Sequence, residues 1–167
     1  MGTQVHAFSR ADAVKFYVDS SLNALILIIR EYGLDPSYLA DRRAFWTDAL
    51  TELLENENLT NLVIEFSTPG RSGLSARWDF PARYTGSGVV DDMWRDTDYL
   101  RSLINKSAKP KSGDTYRIIA SMKPGAPMPA GMVSADFAST AGLTPVNGGT
   151  IIATGHMTAG STYWRVT

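Results

Sequence analysis

The hydrophobic positions of the chain change period twice. Between Ser9 and Tyr32, the apolar residues Val14, Tyr17, Val18, Leu22, Leu25, Ile28 and Ile29 recur at three- and four-residue intervals, the spacing of one helix face. Ser9 or Asp12 can cap this helix and Gly33 can stop it. Its second half, "LNALILII", is apolar on nearly every side, which predicts a helix packed in the middle of the fold. A second helix is predicted over residues 35–58, with Asp35 as cap and Pro36 in the first turn, where a missing N–H costs nothing. Leu39, Trp46, Ala49, Leu50 and Leu53 form its apolar stripe, and Asn56 to Asn58 end it.

The period then drops to two. Leu62, Ile64 and Phe66 alternate with Val63, Glu65 and Ser67. After the turn signal "PGRSG", Leu74, Ala76, Trp78, Phe80, Ala82 and Tyr84 alternate with Ser75, Arg77, Asp79, Pro81 and Arg83. The pattern predicts a long antiparallel hairpin with one buried face. Because Pro81 cannot donate to a ladder, the second strand is expected to bend there or to lie at an edge. "TGSG" breaks the strand, and the helical period returns over residues 91–109. There Asp91 and Asp92 suit the positive end of the helix dipole and Lys106 and Lys109 the negative end. Met93, Leu100, Leu103 and Ile104 share one side of this third helix.

"DTYRIIASM" reads as one more strand. Residues 124–149 then lose all periodicity: Gly, Pro, Ala, Ser and Thr dominate, and Asp136 is the only charge. Solvated linkers usually carry more charge. This strap instead spaces Met128, Met132, Val133, Phe137, Leu143 and Val146 among small residues, as though it must lie against protein and still be able to leave it. Residues 150–167 read as a hairpin running to the last residue. The sum is an α+β domain of 167 residues, with three helices on an antiparallel sheet.

Composition narrows the chemistry. Sixteen Lys and Arg against seventeen Asp and Glu leave no basic footprint for nucleic acid or an anionic membrane. With no Cys, thiol catalysis, disulfides and Cys-based zinc sites are excluded, and a cytoplasmic location is expected. His6 and His156 have no second ligand at metal spacing, and "TGSG" lacks the Lys of a phosphate loop. Asp91 and Asp92, being adjacent on a helix, do not face one another as an acid/base pair. "RWDFPARY" could stack single-stranded RNA, but its alternation gathers Trp78, Phe80 and Tyr84 on one face, as a core does. No enzyme activity, cofactor or metal is expected.

The long apolar first helix, the segment "YGLDPSYLADRRAFWTDALTELLENENLTNLVIEF", the strand end "ARYTGS" and the tail "TGHMTAGSTYWRVT" together resemble the HORMA domains. The likeness is greatest to the short bacterial HORMA proteins encoded beside CD-NTase enzymes of CBASS anti-phage defence. The resemblance implies a single HORMA-like domain: a core over residues 9–123 and a mobile C-terminal safety belt over residues 124–167. The belt would close around a closure-motif peptide added beside residues 116–122. It further implies a peptide site drawn from Tyr116, Ile118, Ile119, Ala120, Met122, Met128, Met132, Phe137 and Leu103. The closed protein would bind and activate a CD-NTase, and an AAA+ ATPase would reopen it by engaging residues 1–10. Two alternatives are a scaffold that binds a peptide of a sister HORMA protein and a small RNA-binding domain.

Overall fold

The computed structural model describes residues 2, 9–85 and 92–167. The chain runs α1 (Arg10–Glu31), α2 (Ser37–Ala40), α3 (Arg43–Glu55), β1 (Leu59–Ser67), β2 (Ala76–Tyr84), β3 (Trp94–Arg95), α4 (Thr97–Lys106), β4 (Thr115–Met122), β5 (Leu143–Ala153) and β6 (Met157–Val166). The strands form one antiparallel sheet in the order β3-β5-β6-β2-β1-β4. The terminal hairpin therefore docks on β2, and β4 ends the sheet on the opposite side.

α1 is the helix the rest packs around. Both candidate caps act together: the Asp12 N–H donates to Ser9 Oγ and the Ser9 N–H to Asp12 Oδ2, each at 3.1 Å. Gly33, at φ 75°, supplies the left-handed residue that ends the helix. Leu22, Leu25, Ile28 and Ile29 are fully buried between α3, α4 and the sheet. At the C-terminal end of α1, the Tyr32 hydroxyl accepts from Trp78 Nε1 at 2.8 Å and bonds Ser107 Oγ at 2.5 Å. One buried hydroxyl thus joins α1, β2 and the end of α4, and burial raises the Tyr32 pKa.

Several expectations are corrected. The second helix is two helices. Arg42 Nη1 takes the Tyr38 carbonyl at 3.0 Å, the acceptor its own backbone N–H would use in an α-helix, and that N–H turns to Leu39 O instead. Asp35 does hold the start, accepting from Ser37 N and Ser37 Oγ at 2.9 and 2.6 Å, and these bonds, the hydroxyl's first, keep its carboxyl below the usual range. The third helix starts at Thr97, not at residue 91, because Trp94 and Arg95 pair with Ala153 and Ile152 of β5 and Asp96 caps through Tyr99 N. Asp92 precedes that strand, and Asp91 lies outside the described residues. The terminal hairpin begins at Leu143, so the strap shortens to residues 123–142.

Pro81 is not at an edge: β2 runs unbroken through it, inside the sheet between β6 and β1. Its register with β6 is kept while the pairing lapses between Asp79↔Thr162 and Ala82↔Ala159, and the facing residue is Gly160, where an added Cβ would come 3.2 Å from Pro81 Cγ. A missing side chain makes room for the ring. The one-buried-face reading of β1 also fails. Val63 and Glu65 are as buried as Leu62, Ile64 and Phe66, because something covers the second face of the sheet.

Leu103 of α4 sits 3 % exposed beneath β5, where an added Cβ on Gly148 would meet Leu103 Cδ1 and Ser161 Oγ at 2.6 Å. The backbone at Gly148 is not left-handed, so the restriction is purely one of packing. Gly148→Ala is expected to destabilise the fold by about 1–3 kcal/mol. Adding Leu103→Ala should recover part of that loss, because the two residues share one space. Urea unfolding of the two single mutants and the double mutant measures this, and simple additivity would place Leu103 elsewhere.

Candidate functional site

The second face and the free edge of the sheet meet at β4. On one side β4 pairs with β1, with Val63↔Ile119 and Glu65↔Arg117 in register. The polarity of its other edge follows from two bonds. The Lys123 N–H donates to Asn58 O, and Phe66 O accepts from Ser75 N on the β2 side. Since N–H groups alternate along a strand, residues 117, 119, 121 and 123 address β1. The backbone groups of Ile118, Ala120 and Met122 point away from it, and no described strand pairs with that edge. An unpaired edge of this length is a template for another chain.

A groove runs along this edge. Its helix side is Tyr38, Phe45 and Trp46; its outer wall is Met128, Met132 and Val133 of the strap, around a cavity of about 460 Å³. A contiguous cavity of about 390 Å³ continues toward Arg42 and Tyr116. Tyr116 is fixed by its hydroxyl, which donates to Asp35 O at 3.0 Å and accepts from Leu39 N at 3.3 Å. Burial raises its pKa, so it stays neutral at physiological pH. Gly131 lets the strap arch over Phe45: it has φ +82°, and a Cβ there would stand 2.9 Å from Phe45 Cε2.

Past the groove the strap crosses the second face of the sheet and is bonded down. Glu65, 2 % exposed, accepts from Arg117 Nε and Nη2 at 3.2 and 2.6 Å on Oε1 and from the Ala138 N–H at 2.9 Å on Oε2. Arg117 Nη2 also donates to Asp136 O at 2.6 Å. Phe137 lies over the Arg77 guanidinium, 4.4 Å from ring centroid to Cζ. Arg77 pairs with Asp79 at 2.9 Å, and Asp79 also accepts from Asn61 Nδ2 and Trp164 Nε1. One end of the strap is thereby tied to β1, β4 and β2 by charged groups that a bare sheet face would leave in water.

The structure brings Tyr116, Ile118, Ile119, Ala120, Met122, Met128 and Met132 to the groove. It does not bring Leu103, which is in the core under β5, and Phe137 lies on the second face of the sheet. Arg10, counted in the sequence as part of a free N-terminal handle, begins α1, and its Nη2 donates to Leu54 O and Glu55 O. Residues 3–8 are outside the described residues. Sequence reasoning missed Tyr38, Phe45 and Glu65. The signal for Glu65 was a charge inside an apolar alternating run, at a position where a solvated face was assumed. Among the described residues no three His, Asp or Glu gather in a group that could hold a metal, and no helix is long and apolar enough to cross a membrane.

A model of the family described as Bacterial HORMA domain 2 matches residues 2–167. Among curated proteins nothing matches. The fold aligns with a chain of the Mitotic Checkpoint Complex at TM-score 0.73 and 8 % identity, covering 92 % of this chain and 98 % of that one. C. elegans HTP-2 bound to the HIM-3 closure motif aligns at 0.69 and 12 %, covering 94 % and 91 %. A chain of the E. coli MS115-1 CdnC:HORMA-deltaN complex aligns at 0.65 and 15 %, covering 99 % and 94 %.

The alternation along β4 separates two neighbouring substitutions. Ile119→Pro removes a donor from the β1 ladder and should cost the fold a few kcal/mol, about 3. Ala120→Pro removes a donor from the unpaired edge, so its melting temperature should stay close to wild type. Circular-dichroism melts of both decide this; equal destabilisation would mean that both edges of β4 are used within the domain.

Proposed function

Since the chain belongs to the bacterial HORMA domain 2 family, we propose that it is a peptide-binding signalling adaptor of anti-phage defence in the cytoplasm. A closure-motif peptide adds as a strand to the free edge of β4, and the C-terminal belt closes over it. The observation that carries this reading is the unpaired edge at Ile118, Ala120 and Met122, lying inside a groove whose outer wall is the strap. Main-chain bonds to that edge supply affinity for any extended segment, and the side chains of the groove choose among them. The peptide site is made of Tyr116, Ile118, Ile119, Ala120, Met122, Met128 and Met132, with Tyr38, Phe45 and Trp46 added from the helix side.

The closed, peptide-bound protein then binds and activates a CD-NTase that makes a nucleotide second messenger. Support for that partner comes from the fold shared with the CdnC:HORMA-deltaN complex; support for the ligand comes from the fold shared with HTP-2 bound to a closure motif. A strap that must lift before the peptide leaves makes dissociation slow. An AAA+ ATPase that pulls on the N-terminal residues before α1 would reset it.

The test uses the full-length chain with a CD-NTase encoded beside it and a peptide selected from a random library. Peptide should increase second-messenger synthesis, Ala120→Pro should abolish both binding and stimulation, and the AAA+ ATPase with ATP should reverse stimulation unless residues 2–8 are removed. Tight peptide binding without stimulation would favour a scaffold that holds a peptide of a sister HORMA protein. Unaltered binding by Ala120→Pro would overturn the strand-addition site.

A further inference from the structure

Arg42 stands at the Tyr116 end of the groove, and its guanidinium is held in place without a counter-charge. The break between α2 and α3 puts its Cζ 3.8 Å from the centroid of the Tyr38 ring while Nη1 donates to Tyr38 O at 3.0 Å. Stacking and one backbone bond fix its direction, and its remaining N–H donors are free to bind a carboxylate. None of the described carboxylates forms an ion pair with it. The two acids at this end are otherwise engaged: Asp35 accepts from Ser37, and Asp114, buried, accepts from Thr68 Oγ1 and Lys111 N. The other guanidinium of the groove, Arg117, is held by Glu65.

The two cavities that flank Ile118 contain no carboxylate in their linings; Asp35 and Asp114 line a separate cavity on the far side of Tyr116. Toward Met122 the walls turn apolar, with Met128, Met132 and Val133 opposite Phe45 and Trp46. The groove therefore offers one cation without an ion-pair partner, Arg42, beside Tyr116 and an apolar stretch toward Met122. On the footing of the peptide-binding reading, we propose that it selects an extended peptide with an Asp or Glu paired to Arg42 and apolar residues at the following same-face positions. Strand periodicity fixes the spacing. Ile118, Ala120 and Met122 line one side of β4 two residues apart, so the peptide side chains that face the helices recur with the same step. The acidic residue and the apolar anchors are thus separated by two and by four positions. Thioether and aromatic walls accept several apolar shapes, whereas the stacked guanidinium specifies the acid through paired donors.

The experiment is selection of a random eight-residue peptide library on the full-length protein, with Arg42→Ala and Arg42→Glu selected in parallel and folding checked by thermal melts. Wild type should enrich Asp or Glu at one position, with Leu, Ile, Val, Met or Phe two and four residues away. A synthetic peptide from that pool should bind Arg42→Ala roughly tenfold more weakly, the loss expected for one charge-assisted contact. Arg42→Glu should shift the preference at the same position to Lys or Arg. Enrichment of peptides with no acidic position, or an unchanged preference in Arg42→Glu, overturns the proposal and leaves peptide binding intact. No enrichment by wild type overturns both.

Discussion

The seat of the strap on the second face of this sheet turns on one buried carboxylate. Glu65 lies in the middle of β1, where an apolar residue would have served the fold, and is withdrawn from water almost completely. A buried carboxylate is tolerated only if its oxygens are bonded and its charge is answered. Arg117 from the edge strand answers the charge, and the Ala138 N–H of the strap occupies the second oxygen. The strap is therefore a condition for Glu65 being buried, and Glu65 is a condition for the strap lying where it does. The same guanidinium reaches Asp136 O, so one ion pair joins β1, β4 and the strap.

That arrangement has consequences for the edge it borders. Exposed edge strands invite uncontrolled pairing, and proteins usually shorten, charge or cover them. Here β4 is long and keeps its outward N–H and C=O groups. The strap walls a groove around that edge instead of pairing with it. At the other end of the sheet, β5 is treated differently: β3 covers Ile152 and Ala153, and the rest is interrupted by Pro145 and by irregularities near Gly149 and Thr150. One edge is blunted and the other is kept open under a cover, the asymmetry expected of a site that accepts one strand from outside.

Much of this was legible in the sequence. The capped first helix, the period-two hairpin, the strand over residues 115–122 and the uncharged strap each follow from local rules, and the order of elements implies the α+β class. The features that were not legible are those decided by distant contacts. The α2–α3 break comes from the Arg42 side chain competing for the Tyr38 carbonyl, which periodicity does not register. β3 is two residues long and exists because β5 passes beside it, so a helix was extended through it. Pro81 alone suggests a bend or an edge, because its tolerance inside the sheet depends on Gly160, far along the chain. Val63 and Glu65 were given a solvated face because nothing local shows that the strap returns over them. In the groove the strand side was readable as a β-rich run before the strap. Its helix side, Tyr38 and Phe45, looked like part of an ordinary amphipathic helix.

The central claim is that the strap is held over the sheet by Glu65 and that this leaves the β4 edge under a cover that can open. Peptide-resolved hydrogen exchange of wild type and Glu65→Gln tests it most directly, since Gln keeps the size but, with its one carbonyl oxygen on Arg117, turns an NH2 donor toward the Ala138 N–H donor. The expected result is exchange at least about tenfold faster across residues 124–142, while amides of α1 and of β1 paired to β2 keep wild-type protection, as local opening without global unfolding requires. Unchanged exchange in the strap, or loss of protection spread evenly over the whole domain, would contradict the account.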